Sequence, residues 1–108
     1  MKKWSPPVNL GPSVNTENDE ISPYLMNENM LYFASNSSAS IGGFDLFYTR
    51  FEYGAAIEVK NVGIGINSEG NDWGLIYEPD SIRSGYFVSD RVGGKGGYDL
   101  YKFEISPN

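Results

Sequence analysis

Leu31-Tyr32-Phe33-Ala34-Ser35-Asn36 and Gly85-Tyr86-Phe87-Val88-Ser89-Asp90 are the stretches whose comparison decides the fold. Set one above the other, they share Tyr-Phe, then Ser, then Asn or Asp, at an offset of 54 positions. Gly42-Gly43-Phe44-Asp45-Leu46-Phe47 lies over Gly96-Gly97-Tyr98-Asp99-Leu100-Tyr101 at the same offset of 54. Upstream, Asn9-Leu10-Gly11 matches Asn61-Val62-Gly63, and Val14-Asn15-Thr16-Glu17 matches Ile66-Asn67-Ser68-Glu69, both at an offset of 52. The second copy therefore gains two residues before its Tyr-Phe segment. Twice 54 is 108, the length of the chain, so a single domain of two repeats is expected, the first over about 4–55 and the second over about 56–108. A period of this length marks an architecture in which each repeat is one supersecondary unit stacked on its neighbour.

Each repeat resolves into short extended segments. In the first they are Trp4 to Val8, Glu20 to Met26, Met30 to Ser35 and Phe44 to Phe51. In the second they are Ile57 to Lys60, Asp72 to Glu78, Gly85 to Ser89 and Tyr98 to Ile105. Pro6 and Pro7 make Trp4 to Val8 an edge strand, because proline donates nothing to a ladder. Asn27-Glu28-Asn29 suits a tight hairpin turn. Phe44, Leu46 and Tyr48 alternate with Asp45, Phe47 and Thr49, so both faces of that strand carry apolar groups, as in a sheet covered on both sides. No helical period of useful length is present. The sequence predicts an all-β fold of two four-stranded propeller blades, a pattern of short strands and closely spaced turns. It opens on what reads as the outermost strand of one blade and closes after the third strand of another. A part of a β-propeller, or one subunit of a propeller assembled from several chains, is expected.

Composition narrows the chemistry. Thirteen glycines and a 15 % aromatic share suit tight turns and half-buried strands. The formal net charge of −6 argues against nucleic acid as a partner, since phosphate binding needs surplus Lys and Arg. It also disfavours an anionic membrane surface. No apolar run approaches the length of a spanning helix, so membrane insertion is not expected. The start of the chain lacks the apolar segment of a signal peptide. With no Cys and no His, disulfides, thiolate zinc sites and His-based nucleophilic triads are excluded.

Candidate site residues recur with the repeat: Asn15, Glu20, Ser35, Gly43 and Asp45 in the first copy, Asn67, Ser89, Gly97 and Asp99 in the second. Asp45 and Asp99 admit two readings, a metal ligand or general acid, and a carboxylate accepting bonds from the amides of the glycine loop before it. Occurrence once per repeat favours the structural one. Ser35 with Asn36 and Ser89 with Asp90 suit turn-forming hydrogen bonds. Gly93-Gly94-Lys95-Gly96-Gly97 is no phosphate loop, because a strand follows it and Ser or Thr does not follow Lys95. Glu17-Asn18-Asp19-Glu20 offers oxygens for Ca²⁺ but lacks the EF-hand order. Glu78-Pro79-Asp80 reads as a turn rather than as the paired carboxylates of a glycosidase. Trp73 takes the place of Glu20 after an acidic loop and reads as a core or inter-blade residue, with a surface contact as the alternative. No catalytic residue, metal or cofactor is expected.

The order N-L-G, [VI]-N-[TS]-E, acidic residues, Y-F-x-S-[ND] and G-G-[FY]-D resembles the PD40 (WD40-like) repeat of TolB-like propellers. It is most similar to the version in OmpA-family envelope proteins. The first copy keeps Glu20-Ile21-Ser22-Pro23, close to the family pattern, whereas Asp72-Trp73-Gly74-Leu75 lacks Ser-Pro. The resemblance implies a periplasmic or outer-membrane-associated, non-catalytic module that binds a protein or peptide partner. Three copies of two blades would close a six-bladed ring, so a homo-oligomer is a second expectation, with other copies of the chain as the partner. A propeller-type hydrolase is the third.

Overall fold

The computed structural model describes residues 3–106, and the outermost two positions of each repeat-bearing end lie outside the described residues. It contains seven strands and, among the described residues, no helix. The strands are β1 (Glu20–Met26), β2 (Met30–Ser35), β3 (Asp45–Glu52), β4 (Ala55–Asn61), β5 (Asp72–Tyr77), β6 (Ser84–Ser89) and β7 (Asp99–Glu104). They form two antiparallel sheets, ordered β1-β2-β3-β4 and β5-β6-β7, and the pair is not closed into a ring.

Local chemistry sets the hairpins. Met26 faces Met30 across a three-residue turn in which Asn27 takes φ 60°, a conformation asparagine tolerates better than most residues. Glu52 faces Ala55 across Tyr53-Gly54, both with positive φ, the geometry of a two-residue hairpin whose twist matches that of the strands. One bulge recurs at the same repeat position in both sheets, between Ile21 and Tyr24 and between Trp73 and Ile76. Ser22 holds φ 51° in the first bulge and Gly74 φ 70° in the second. The two bulges meet: the Gly74 amide donates to Ser22 Oγ at 3.0 Å.

Two expectations are corrected. The fold is all-β, but the second sheet has three strands rather than four. Trp4 to Val8 forms no strand; Trp4 is 98 % exposed and Val8 80 %. Pro6 and Pro7 lack the amide hydrogens of a ladder, and among the described residues no strand pairs with the segment. Its counterpart in the second copy does form a strand, β4, but β4 pairs with β3 of the first sheet. The sequence repeat and the sheet are thus out of frame by one strand.

The sheets stack through one apolar interface. Tyr32, Ala34 and Leu46 of the first sheet pack against Leu75, Tyr77, Phe87 and Phe103 of the second. Tyr77 meets Phe103 edge-on at 5.3 Å and Tyr32 at 5.5 Å, arrangements that the ring quadrupoles favour. The Tyr32 and Tyr77 hydroxyls bond to each other at 2.9 Å, which satisfies both phenols inside the interface. Burial, reinforced by that bond, pushes the Tyr32 hydroxyl well above the ordinary tyrosine range. The opposite face of the first sheet carries a smaller cluster, Phe33 and Phe47 capped by Val14 from the loop before β1. The radius of gyration, 14.7 Å, exceeds the roughly 13 Å of a compact domain of about 100 residues, as two stacked but unclosed sheets should.

Candidate functional site

The repeat motif residues converge where the loops enter and leave the sheets. Asp45, fully buried at the start of β3, accepts bonds from the Ile41 amide (2.5 Å), the Gly42 amide (3.4 Å) and Asn61 Nδ2 (2.9 Å). Asn61 ends β4, and its Oδ1 accepts from the Gly63 amide (2.7 Å) and from Asn67 Nδ2 (2.9 Å). Asn67, 2 % exposed, clamps the backbone of Leu46: its Oδ1 accepts the Leu46 amide at 2.7 Å and its Nδ2 donates to the Leu46 carbonyl at 2.9 Å. A side-chain amide is the one group that supplies a donor and an acceptor side by side in this way. The chain Asp45–Asn61–Asn67–Leu46 therefore ties β3 to the loop that leads into the second sheet.

A second network holds that loop to the second sheet. Asp72, also fully buried, accepts from the Ser68 amide (2.7 Å), Ser68 Oγ (3.1 Å), Ser89 Oγ (2.6 Å) and Arg91 Nη2 (3.1 Å). Arg91 neutralises the buried carboxylate, bonds the Ile66 carbonyl, and lies 5.1 Å from the ring centres of both Phe87 and Tyr101. Glu20 occupies the matching place in the first copy and accepts from the Thr16 amide (3.1 Å), Thr16 Oγ1 (2.5 Å) and Ser35 Oγ (2.8 Å).

A third set crosses directly between sheets. The Gly43 amide donates to the Gly70 carbonyl, the Asp72 amide to the Phe44 carbonyl, and the Phe44 amide to Asn71 Oδ1. Gly43 leaves room for this approach, since a Cβ there would displace the Asn71 side chain that accepts the Phe44 amide. Asp90 positions Asn71 by accepting from its amide (2.6 Å) and its Nδ2 (3.0 Å). Those two bonds hold the Asp90 carboxyl below the ordinary aspartate range.

The candidates thus fall into distinct places. Asp45 and Asn67 belong to one network, Ser89 to the Asp72 network, and Glu20 with Ser35 to its first-copy equivalent. Gly43 sits on the inter-sheet crossing. Asp99 accepts from the Lys95 amide (2.8 Å) and the Gly96 amide (3.3 Å), as Asp45 does from its loop, but receives no side-chain amide among the described residues. Gly97 has open space around it. Asn15 Nδ2 donates to Asn9 Oδ1 at 3.1 Å, in the loop before β1. Reasoning from sequence missed Asn61, Asn71, Asp72 and Arg91, and it read Asp90 as a turn residue where the carboxylate anchors Asn71. Asn61 was visible as the partner of Asn9 in the alignment of copies. Arg91 replaces Ser37 and leaves no repeat signal.

Every carboxylate in these networks is taken up by amide, hydroxyl or guanidinium donors. Ser35 donates to Glu20 and Ser89 to Asp72, and the chain has no histidine to complete a nucleophilic triad with either. Among the described residues no group of three or more acidic side chains gathers in metal-binding geometry. Glu78-Pro79-Asp80 is a turn closed by the Ser81 amide on the Glu78 carbonyl, with Asp80 at φ 60°. Trp73 packs edge-on to Tyr98 at 5.7 Å on the outer face of the second sheet. What the arrangement does chemically is fasten a strand to a loop and one sheet to the next. Comparison with protein-family models, with curated proteins and with solved structures finds no match.

Proposed function

We propose that the chain is a non-catalytic interaction module built of propeller-type blades, serving the bacterial cell envelope by binding a protein or peptide partner. The observation that carries the non-catalytic reading is the fate of the repeat carboxylates. Asp45 and Asp72 are wholly buried and each accepts three or more bonds, so neither is placed to hand a proton to a substrate. The likeness of the repeat motif to PD40 sequences supports the propeller-type architecture and the envelope location.

The test has two arms. A screen of glycoside and peptide substrates is expected to show no turnover; turnover lost in Asp45→Asn and Asp99→Asn would overturn the reading. Fractionation of source cells is expected to place the chain with the envelope, and recovery in the cytosol alone would overturn that location.

A further inference from the structure

The two repeats carry the same residues but not the same surroundings, and the differences pair up. Leu46 is fully buried, clamped by Asn67 and covered by the second sheet, while its equivalent Leu100 is 80 % exposed. Tyr32 is 9 % exposed, whereas its equivalent Tyr86 is 39 % exposed. Asp45 receives Asn61; Asp99 receives no such amide among the described residues. The second sheet's outer face and the free side of β7, which among the described residues pairs only with β6, are therefore the first sheet's covered surface left uncovered.

The complement is present at the other end of the same molecule. Asn9 and Asn15 hold the geometry of Asn61 and Asn67 almost bond for bond. The Gly11 amide bonds Asn9 Oδ1 at 2.8 Å, as Gly63 bonds Asn61 at 2.7 Å. Asn15 reaches Asn9 at 3.1 Å, as Asn67 reaches Asn61 at 2.9 Å. The Asn15 amide bonds the Gly11 carbonyl at 2.8 Å, and the Asn67 amide bonds the Gly63 carbonyl at 2.8 Å. The clamp is thus preformed, and Asn15 Oδ1 accepts no bond among the described residues. Beside it lies an open apolar cleft lined by Leu10, Val14, Pro23, Leu31 and Phe33. Its counterparts Val62, Ile66, Leu75 and Phe87 form the wall that covers Leu46.

We infer that a second copy of this chain docks head to tail: the Asn9–Asn15 clamp and its cleft on one copy receive Asp99 and Leu100 at the β7 edge of the next. Carried over from the in-chain interface, Asn9 Nδ2 donates to Asp99, Asn15 brackets the Leu100 backbone, and the Leu100 side chain enters the cleft. Asp19, in the place of Asn71, offers a carboxylate oxygen to the Tyr98 amide. Trp4 to Val8 lies along β7 as β4 lies along β3. Pro6 and Pro7 fall on Glu58 and Val59, within the span where the β3–β4 register already shifts. Pro6 cannot take the φ of 40° found at Glu58, so the bulge follows another path there while the clamp downstream is unaltered. The contact is heterologous, so copies add in sequence to a closed ring or an open filament. The inference rests on the interaction-module reading and supplies its partner.

The test is complementation, read by light scattering after size exclusion. A tail-blocked chain carries Gly96→Ala with Leu100→Asp. A Cβ at Gly96 is free of contacts closer than 3.8 Å in one chain, but at the equivalent Gly42 it would lie 2.6 Å from the carbonyl oxygen of the facing loop. A head-blocked chain carries Leu10→Asp with Asn15→Ala, the first exposed and the second half-buried. Thermal melts establish that each variant folds; Asn9→Ala and Tyr98→Asp are the replacements if one does not. Wild type is expected to exceed the mass of one chain as concentration rises towards about 1 mM. Each blocked variant is expected to run as a single chain, and their mixture as a one-to-one pair. A wild type that stays at one chain throughout, blocked variants that still associate, or a mixture that does not pair would each overturn the docking. A monomeric wild type leaves the module reading to its own substrate and fractionation tests.

Discussion

Leu46 and Leu100 occupy one repeat position in two environments, so truncating each to alanine isolates what the sheet stack contributes. Leu46 is 0 % exposed within the inter-sheet cluster. Its truncation removes about 2–3 kcal/mol of transfer free energy and leaves a cavity that brings the cost to about 3–5 kcal/mol. That is a large part of the roughly 5–15 kcal/mol that holds a domain of this size. Leu100 is 80 % exposed, so in a lone chain its truncation is expected to cost no more than about 0.5 kcal/mol. The assay is urea unfolding followed by tyrosine and tryptophan fluorescence, at low micromolar protein or below, where copies are apart. With a slope of about 1–3 kcal/mol/M, the Leu46→Ala midpoint should fall by at least about 1 M while that of Leu100→Ala barely moves. Equal losses at both positions, or none at Leu46, would refute the stacking described above.

Asn67→Ala is expected to cost about 2–4 kcal/mol, because it strands the buried Leu46 amide and loosens the loop, whereas Asn15→Ala is near neutral in dilute solution; paired thermal melts check this. Gly85→Ala is expected to unfold the second sheet or lower its melting point sharply, since its Cβ would lie 2.8 Å from both Phe103 Cε1 and Tyr77 Cα, while Gly97→Ala melts like wild type. The raised Tyr32 hydroxyl makes stability complete below about pH 10 and lost as pH rises beyond it, because the unfolded chain ionises first. Tyr32→Phe should flatten that alkaline limb in a pH series of melts. The lowered Asp90 carboxyl works in the opposite sense: its contribution is present above the ordinary aspartate value of 3.8 and fades as pH falls through the folded value. Asp90→Asn should remove that part of the acid limb.

The strands inside each repeat were legible because aromatic and β-branched residues cluster between turn residues, and six of the observed strands lie close to where the pattern put them. The seventh, Ala55–Asn61, was legible as a strand but not in its partner. Dividing the chain at the repeat boundary hides the Tyr53-Gly54 hairpin, which joins it to β3. Trp4 to Val8 has the sequence position of a strand but not its environment, and a strand exists only where a neighbour's backbone completes it. Of the site, the recurring Asp and Asn positions could be read from the alignment of copies. The crossing bonds of Asn71 and the guanidinium of Arg91 could not, because both occur in one copy alone.

The one-strand offset between repeat and sheet has a consequence for how the chain comes apart. The second repeat lends its first strand to the sheet before it, so the segment from Ala55 to Asp72 is at once the edge of one sheet and the entry to the other. Fraying either sheet removes support from the same stretch. In a stack of units whose stability is a sum of intrinsic and nearest-neighbour contributions, such sharing moves free energy from the unit to the junction. Calorimetry should therefore register one unfolding transition with matching calorimetric and van't Hoff enthalpies, not two staggered events, although the molecule has two sheets.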